Sequence, residues 1–342
     1  MSTQVFRRAV VVGTTAWGTT LAVLLARNGL DVTLLARTEQ EAAELATSRE
    51  NKGRLPGVPL PLSLEPSADH ACLAEADLVC FVVPAQTMAD AAMQTRNSIA
   101  PSATLLSASK GIEVATGRRM SEILHAAMPG RTVAALSGPN LSREVAAGLP
   151  GTTVIASSEE TSLDALREVF HTLTFRVYTS NDVVGVELGG ALKNIVAMAA
   201  GMVDSLGYGD NAKAAVMTRG LAEMTRLGVE AGADPLTFQG LAGVGDLIAT
   251  SYSPLSRNRR LGEQLASGVP LSEALAELGE TAEGVATTPA ALRLAKCLGV
   301  EMPIAEALQS ILSEGVSPQT AVTALLQRDP KAEHFERRAP RV

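Results

Sequence analysis

Two segments of this sequence carry the residue types needed for proton transfer and for anion binding. The first contains Lys193, which lies in the apolar run ALKNIVAMAAGMV. An ammonium group in such a run is costly unless it is paired or used, and burial lowers its pKa toward the range that suits general acid–base catalysis. Lys193 is therefore a candidate proton donor. The alternative is a lysine whose stem packs while its amine reaches solvent.

The second segment is Ser256-Arg257-Asn258, which has the pattern of a helix start with Ser256 as the N-cap. Backbone N–H groups, a guanidinium and an amide donor would converge there on a phosphate dianion. The alternative is a plain helix cap with exposed arginines. Arg259 and Arg260 continue the cluster, and we expect both to be structural or solvated.

Three further polar residues belong with these segments. Asp246, in the glycine-rich GVGDL, could orient Lys193 or accept a hydrogen bond from a hydroxyl, and the alternative is an aspartate that caps a turn. Lys110 follows a predicted strand, and open α/β sheets bind ligands at the carboxyl ends of their strands. Thr250 precedes the arginine motif and is a weaker candidate for a phosphate contact.

A glycine-rich loop connects the first predicted strand to the first predicted helix. The loop is Gly13-Thr14-Thr15-Ala16-Trp17-Gly18. It occupies the place of the dinucleotide fingerprint G-x-G-x-x-G, with Gly13 at the tight turn, Gly18 at the helix–sheet contact and Thr15 in place of the middle glycine. Ala16 and Trp17 open a helix whose N-terminus suits a pyrophosphate. The alternative is a strand-to-helix turn that binds nothing.

The end of the second predicted strand bears on the choice of cofactor. An acidic residue there favours NAD, whereas an arginine can hold the 2′-phosphate of NADP. This sequence has Arg37, which favours NADP(H), with NAD(H) as an alternative cofactor. An ordinary solvated arginine is the other interpretation. Thr38 and Glu41 then match a capping box that opens the next helix.

Strand-like and helix-like segments alternate in the first half of the chain. The predicted strands are residues 8–12, 31–37, 77–83, 104–109, 132–136 and 152–156. Such β–α units with nearly all-apolar strands predict a parallel sheet covered on both faces. Residues 51–66 are proline-rich and are expected to be irregular, and from Val184 onward the periodicity is helical.

These patterns divide the chain into three regions. We expect a doubly wound, Rossmann-like α/β domain at residues 1–180, an all-α substrate domain at residues 181–330 and a charged tail at residues 331–342. The four histidines are scattered outside these motifs and no metal-ligand spacing is present, so the predicted chemistry uses no metal.

Composition limits the class of protein further. The 342 residues carry a net charge of −7, a mildly acidic balance that argues against broad nucleic-acid or membrane binding. The three cysteines form no CxxC pair, which fits a reducing compartment. The N-terminus lacks the pattern of a signal peptide, and no run of about 20 residues looks uninterrupted enough to span a bilayer. A cytoplasmic protein is expected.

Five ordered blocks of sequence carry a resemblance to a known family. They are SASKGIE (107–113), LSGPNLSREVAAG (136–148), ALKNIVAMAAGMVDSLGYGDNAKAAVMTRGLAEM (191–224), GLAGVGDL (240–247) and SRNRRLG (256–262). Together they resemble bacterial NAD(P)H-dependent glycerol-3-phosphate dehydrogenase, from the glycine loop to about Pro303. The resemblance implies reversible reduction of dihydroxyacetone phosphate to sn-glycerol 3-phosphate, which supplies glycerophospholipid synthesis.

The resemblance also implies roles for individual residues. Lys193 becomes the proton donor and acceptor, Asn194 a contact of a substrate hydroxyl, and the Ser256–Asn258 motif the phosphate site, with Arg257 also near the cofactor. Lys110 is implied to face both the nicotinamide and the substrate. Glu283, in TAEGVATT, matches a family glutamate near the cofactor. Its alternative is a surface capping residue.

The SGPN turn is the last element of the resemblance. Gly138 and Asn140, with Ser142 just beyond, line the crevice in the family. The family more often has SGPSFA here, so Asn140 and Ser142 are departures from its pattern.

Two other functions remain open at this point. One is another hydroxyacid dehydrogenase with the same two-domain plan, which would need a carboxylate site in place of the phosphate site. The other is a catalytically silent NADP-binding sensor, which could dispense with Lys193 and the arginine motif. The expected partner is a small phosphorylated triose, and by analogy the chain is expected to form a homodimer.

Overall fold

A computed structural model describes residues 5–279 and 282–329. Eight strands form one sheet in the order β3-β2-β1-β4-β5-β6-β7-β8. The strands are β1 (Arg8–Val12), β2 (Asp31–Leu35), β3 (Leu64–Ser67), β4 (Leu78–Phe81), β5 (Thr104–Ser107), β6 (Val133–Ser137), β7 (Gly151–Ser157) and β8 (Phe175–Ser180). All neighbours are parallel except β6 and β7. The predicted charged tail lies outside the described residues.

Helices cover both faces of this sheet, because its central strands are apolar on both sides. The helices of this part are α1 (Ala16–Arg27), α2 (Glu39–Ser48), α3 (Met88–Thr95), α4 (Met120–Ala127), α5 (Ser142–Ala146) and α6 (Glu160–Phe170). Helices α1 and α6 pack on one face, where Val11 and Cys80 point. Helices α3 and α4 pack on the other, where Val10 and Val79 point. The fold is the predicted doubly wound α/β sheet.

Two edge strands and one strand direction differ from the sequence prediction. Strand β3 lies in the segment expected to be irregular, and it carries Pro66 at a sheet edge, where a missing N–H is tolerated. Strand β8, at the other edge, has the half-buried alternation of an edge strand and was not predicted. Strand β7 runs antiparallel to β6 because the short SGPN turn and α5 return the chain without a full crossover.

The described chain after β8 is helical. Its helices are α7 (Val183–Ser205), α8 (Gly209–Glu230), α9 (Pro235–Gln239), α10 (Asp246–Tyr252), α11 (Arg257–Ala266), α12 (Leu271–Leu278), α13 (Glu283–Leu298), α14 (Pro303–Glu314) and α15 (Pro318–Leu326). Helix α7 is central and packs against α8, α10, α11 and α13. The fold therefore combines the α/β part with the predicted helical C-terminal domain.

Helix α7 also corrects the expectation that no segment has the length and hydropathy of a membrane span. It is long and apolar enough to cross a bilayer, yet 83% of its most apolar window is buried inside the protein. Its composition follows from its position at the centre of the helical domain.

Candidate active site

A single carboxylate joins two lysines from the two parts of the chain. The Lys193 ammonium donates to Oδ1 of Asp246 at 2.8 Å and to Oγ1 of Thr250 at 2.6 Å. The Lys110 ammonium donates to Oδ2 of the same aspartate and to the Gly138 carbonyl, both at 2.6 Å. We call this group of five residues the lysine cluster. It lies where the carboxyl ends of β5 and β6 meet the helical domain.

Burial and neighbouring charges set the protonation of the cluster. Burial lowers the pKa of Lys193 to about 8, although the Asp246 carboxylate raises it, and Lys110 and Arg257 lower it further. Burial by itself raises the pKa of Asp246, but the two ammonium groups outweigh it and hold that pKa below its usual range. At neutral pH the cluster thus holds an ionised carboxylate and a lysine that can exchange its proton readily.

Local backbone features place these side chains against each other. A turn of π-helix at Leu241–Gly245 leads directly into α10, so Asp246 becomes the first residue of that helix and points at α7. About one turn before Lys193 on α7, a Cβ at Gly190 would collide with the Ser137 hydroxyl at the end of β6. Glycine at this position therefore lets α7 approach the carboxyl edge of the sheet, where Lys110 emerges.

The predicted anion-binding motif forms the N-terminal end of α11. Ser256 is the N-cap, and its hydroxyl accepts from the N–H of Arg259 at 3.3 Å, as the sequence predicts. Asn258 is buried: its Nδ2 donates to Oδ1 of Asn194 at 2.9 Å, and its Oδ1 accepts from the N–H of Gly284 at 3.0 Å. The motif is thereby attached to α7, one residue after Lys193, and to the start of α13.

Arg257 lies within electrostatic range of two candidate site residues. It lowers the pKa of Lys193, and it also lowers the pKa of Glu283, which burial raises overall. The Glu283 carboxylate accepts from the N–H of Ala85, just after the loop that follows β4, at 3.0 Å. Glu283 is accordingly a half-buried link to the α/β domain rather than a surface cap. Arg259 instead pairs with Asp204, as expected for a structural arginine.

The glycine loop has the shape that a dinucleotide needs. Gly13 has φ +111°, and a Cβ there would lie 2.7 Å from the Val82 carbonyl oxygen. A Cβ at Gly18 would collide with the Gly13 carbonyl. The Thr15 hydroxyl caps α1 by accepting from the N–H of Gly18 at 2.9 Å, and it donates to Val82 O at 3.0 Å. The middle glycine is therefore replaced by a helix cap that uses the Gly18 N–H, and the N–H groups of Ala16 and Trp17 at the start of α1 suit an anion.

The remaining cofactor candidates surround this loop. Ala16 is the first residue of α1, and Trp17 packs its ring edge against Phe175, with its indole N–H buried and without an acceptor among the described residues. Arg37 is exposed just beyond β2. Its N–H donates to Glu41 at 3.2 Å, and the same carboxylate accepts from the Thr14 hydroxyl at 2.5 Å. The Thr38 half of the predicted capping box is present, since its hydroxyl accepts from the N–H of Glu41.

The SGPN turn contributes its backbone more than its side chains to the crevice. The Gly138 carbonyl belongs to the lysine cluster. The Asn140 side chain instead binds β7, donating to Thr152 O at 2.9 Å and accepting from the Thr153 hydroxyl at 3.1 Å. Ser142 begins α5, and its carbonyl accepts from the Thr20 hydroxyl of α1. The substrate contact predicted for Asn140 and the cofactor contact predicted for Ser142 stay predictions.

Three contacts of the site were not anticipated from the sequence. The Thr250 hydroxyl bonds Lys193, although the sequence placed it with the phosphate motif. Glu41 ties the glycine loop to α2. Glu187, in α7, binds α4 of the α/β domain. Glu187 lies in the same kind of apolar run that singled out Lys193, so the same signal was available for it. Within residues 5–279 and 282–329 no group of three or more His, Cys, Asp or Glu side chains is arranged to hold a metal ion.

A doubly wound sheet with a glycine loop after its first strand, faced by a helical domain with a buried lysine, defines a dinucleotide-dependent oxidoreductase. The sequence pattern of the NAD-dependent glycerol-3-phosphate dehydrogenase N-terminus matches residues 8–163, and that of the C-terminus of the same family matches residues 182–323. The chain belongs to the NAD-dependent glycerol-3-phosphate dehydrogenase family.

Individual relatives agree with this assignment. Glycerol-3-phosphate dehydrogenase (NAD(P)+) of Chlorobium limicola is 46% identical over 95% of this chain and 99% of its own length. The enzyme of the same name from Geobacter sulfurreducens is 46% identical over 96% of this chain and 99% of its own length. The crystal structure of glycerol-3-phosphate dehydrogenase from Coxiella burnetii superposes with a TM-score of 0.91 at 36% identity, covering 95% of this chain and 99% of that chain.

Proposed function

We propose that this protein reduces dihydroxyacetone phosphate to sn-glycerol 3-phosphate with NADPH or NADH, reversibly, and so supplies glycerophospholipid synthesis. The observation that carries the proposal is the position of the Lys193 ammonium. It lies between Asp246 and Thr250, one residue from the asparagine that anchors the α11 N-terminus. We therefore infer that the proton donor and the anion-binding helix end lie close enough to contact the carbonyl and the phosphate, respectively, of one triose.

The chemistry of the ketone assigns the role of the lysine. Bound NAD(P)H supplies a hydride to C2 of the substrate, and the oxygen at C2 then develops negative charge. Lys193 stabilises that oxygen and gives it a proton, a contribution of about 100-fold or more for a well-placed general acid. Asp246 keeps the ammonium oriented, and Thr250 holds it from the other side. In the reverse direction the neutral amine of Lys193 takes the proton from the C2 hydroxyl.

The phosphate is assigned to the start of α11. The guanidinium of Arg257 and the first-turn N–H groups of the helix provide charge-assisted hydrogen bonds and the positive end of a helix dipole. Asn258 holds this helix end against Asn194 of α7. The distance between Lys193 on α7 and Arg257 at the start of α11 is therefore proposed to select substrates by the separation of their carbonyl and phosphate groups. Lys110, next to Gly138, faces the same crevice from the sheet.

The cofactor is assigned to the loop from Gly13 to Gly18, whose Cβ-excluding turn fits a pyrophosphate against α1. Arg37, exposed beyond β2, supports a preference for NADP(H) because a guanidinium can pair with the 2′-phosphate. Glu283 and Arg257 are proposed to contact the nicotinamide half of the cofactor.

The organisation of the molecule forms part of the proposal. We place the boundary between the dinucleotide domain and the substrate domain near Ser180, between β8 and α7. The acidic net charge and the scattered free cysteines support a cytoplasmic protein. Exposed apolar side chains on the helical domain, Ile248 and Leu255 among them, are compatible with a homodimer.

A substrate comparison tests the proposed activity directly. Oxidation of NADPH and of NADH is followed by the absorbance of the reduced nicotinamide, with dihydroxyacetone phosphate and in parallel with 2-ketopantoate. We expect turnover with the phosphorylated triose and not with the ketoacid. Turnover with 2-ketopantoate alone would support the hydroxyacid dehydrogenase alternative, and cofactor binding without any turnover would support the silent sensor.

A further inference from the structure

A buried glutamate of the helical domain is bound by one end of a helix in the α/β domain. Glu187 lies in the first third of α7 and is 7% exposed. Its Oε2 accepts from Nη1 of Arg119 and from the Ser121 hydroxyl, both at 2.6 Å, and its Oε1 accepts from the N–H of Ser121 at 2.8 Å. All three donors belong to the N-terminal end of α4, so the contact crosses between the two parts of the chain.

The chemical groups of this contact restrict both the orientation of the Glu187 carboxylate and its distance from the start of α4. A carboxylate at the start of a helix meets a free N–H group and the positive end of the dipole. The Arg119 guanidinium adds an opposite charge, and the serine adds a short hydroxyl bond. A buried charge that loses such a partner is strongly destabilised, so the pair tolerates little displacement. Burial raises the pKa of Glu187, while Arg119 and Ser121 act in the opposite direction.

The segment of α7 that follows Glu187 is confined by close backbone approaches. A Cβ at Gly189 would collide with the Ala242 carbonyl of the π-helical turn, and one at Gly190 would collide with the Ser137 hydroxyl of β6. Lys193 follows less than two turns after Glu187, about 9 Å along the helix axis at 1.5 Å per residue. A rotation or slide of α7 at Glu187 therefore moves the ammonium group of Lys193 by a similar amount.

We propose that Glu187 is a positioning residue that fixes α7 against α4 and thereby places the Lys193 ammonium opposite Lys110. This inference rests on the proposed function, because it concerns the proton donor of that reaction. None of the three groups that bind Glu187 is a candidate substrate or cofactor contact. We call the contact of Glu187 with Arg119 and Ser121 the tie. It therefore holds α7 whether or not a ligand is bound, whereas the Lys110–Asp246 bond lies in the crevice itself.

The test compares Glu187→Gln with a matched control, Glu122→Gln. Glu122 also pairs with Arg119, at 2.9 Å, and accepts from its backbone N–H, but both bonds lie within α4, so the variant removes a charge next to Arg119 without removing a bond to α7. The single tryptophan, Trp17, lies in the cofactor loop, so its fluorescence during NADPH titration counts the folded sites in each preparation. kcat and KM for dihydroxyacetone phosphate are then expressed per folded site, over a range of pH.

For Glu187→Gln we expect kcat per folded site to fall about tenfold or more, because a small misplacement of a reacting group is expensive in rate. NADPH affinity should stay within about twofold, since the cofactor loop is not part of the tie. The decline of kcat at high pH should move to lower pH, because Lys193 loses part of the contact with Asp246 that raises its pKa. Glu122→Gln should leave all three quantities unchanged.

Three outcomes would overturn the inference. A purely structural role would give normal kcat, KM and pH profile per folded site, with only fewer folded sites. An equal loss of kcat per folded site in Glu122→Gln would mean that the loss arises from disturbing Arg119 and not from the Glu187 contact. If Glu187→Gln does not fold, Ser121→Ala removes the hydroxyl that binds Glu187 and Arg119 but keeps the carboxylate, and an unchanged kcat in that variant would refute the role. Absence of activity in the wild-type protein would instead refute the proposed function.

Discussion

Lys110 and Lys193, from different parts of the chain, bind the two oxygens of one carboxylate, that of Asp246, at 2.6 and 2.8 Å. The aspartate is 1% exposed and ionised, so it holds both ammonium groups at a fixed separation. Two cations around one anion leave a net positive charge in the crevice, which suits an anionic substrate and a developing alkoxide.

Replacing the shared carboxylate should damage stability and catalysis together. In Asp246→Asn the buried Lys193 and the half-buried Lys110 lose their counter-charge, so we expect the free energy of unfolding to fall by about 3 kcal/mol or more. Urea unfolding measures that loss, and kcat per folded site should also fall. Asp204→Asn is the matched control, because Asp204 pairs with Lys213 and Arg259 outside the crevice. It should lose stability and keep kcat, and equal catalytic losses in both variants would contradict the assignment.

The pH dependence should have opposite signs in the two reaction directions. Reduction of the ketone needs the ammonium form of Lys193, whose pKa burial lowers to about 8, so kcat for reduction should fall as the pH rises through about 8. Oxidation of glycerol 3-phosphate needs the neutral amine and should rise over the same range. Initial rates in both directions across pH 6 to 10, on the order of one reading per half unit, check this. Profiles that run in the same direction would refute lysine as the titrating group.

Substrate affinity should depend on Arg257 and not on its neighbour Arg260. Loss of one charge-assisted hydrogen bond to phosphate corresponds to about 1.5–3 kcal/mol, so Arg257→Ala should raise KM for dihydroxyacetone phosphate by roughly tenfold to a hundredfold. Arg260→Ala, on the same exposed helix end, should change KM by less than about twofold. Steady-state kinetics at saturating NADPH measures both. Equal effects would mean that general positive charge, not a specific contact, binds the phosphate.

Cofactor preference should depend on Arg37. Removing its guanidinium in Arg37→Ala should weaken NADPH binding about tenfold or more and leave NADH binding nearly unchanged, because only NADPH carries the 2′-phosphate. Trp17 fluorescence titrations give both dissociation constants without any turnover. A parallel loss of affinity for both cofactors would place Arg37 elsewhere than at the 2′ position.

Much of the fold could be predicted from local pattern alone. β1 was predicted with its observed bounds and α1 with its observed start at Ala16, because an apolar strand and a tight glycine turn are local signals. The Ser256 N-cap was equally local. The edge strands β3 and β8 and the antiparallel direction of β7 were not predicted, because they depend on which neighbour a strand meets in space.

The site divides in the same way. Lys193 could be singled out because a charged residue within an apolar helical run is recognisable from the sequence alone. Its bond to Thr250, 57 positions later, follows only from the packing of α10 on α7. The tie from Glu187 to Ser121 spans 66 positions and two domains, so sequence could indicate that this glutamate needs a partner but not which one.

The most direct test of the account is turnover and cofactor binding measured on the same preparation of Lys193→Met, a variant that keeps the volume of the side chain and removes its charge. We expect reduction of dihydroxyacetone phosphate to fall about 100-fold or more, while NADPH still changes Trp17 fluorescence with the wild-type dissociation constant. Turnover within about twofold of the wild-type value would contradict the central claim that Lys193 donates the proton.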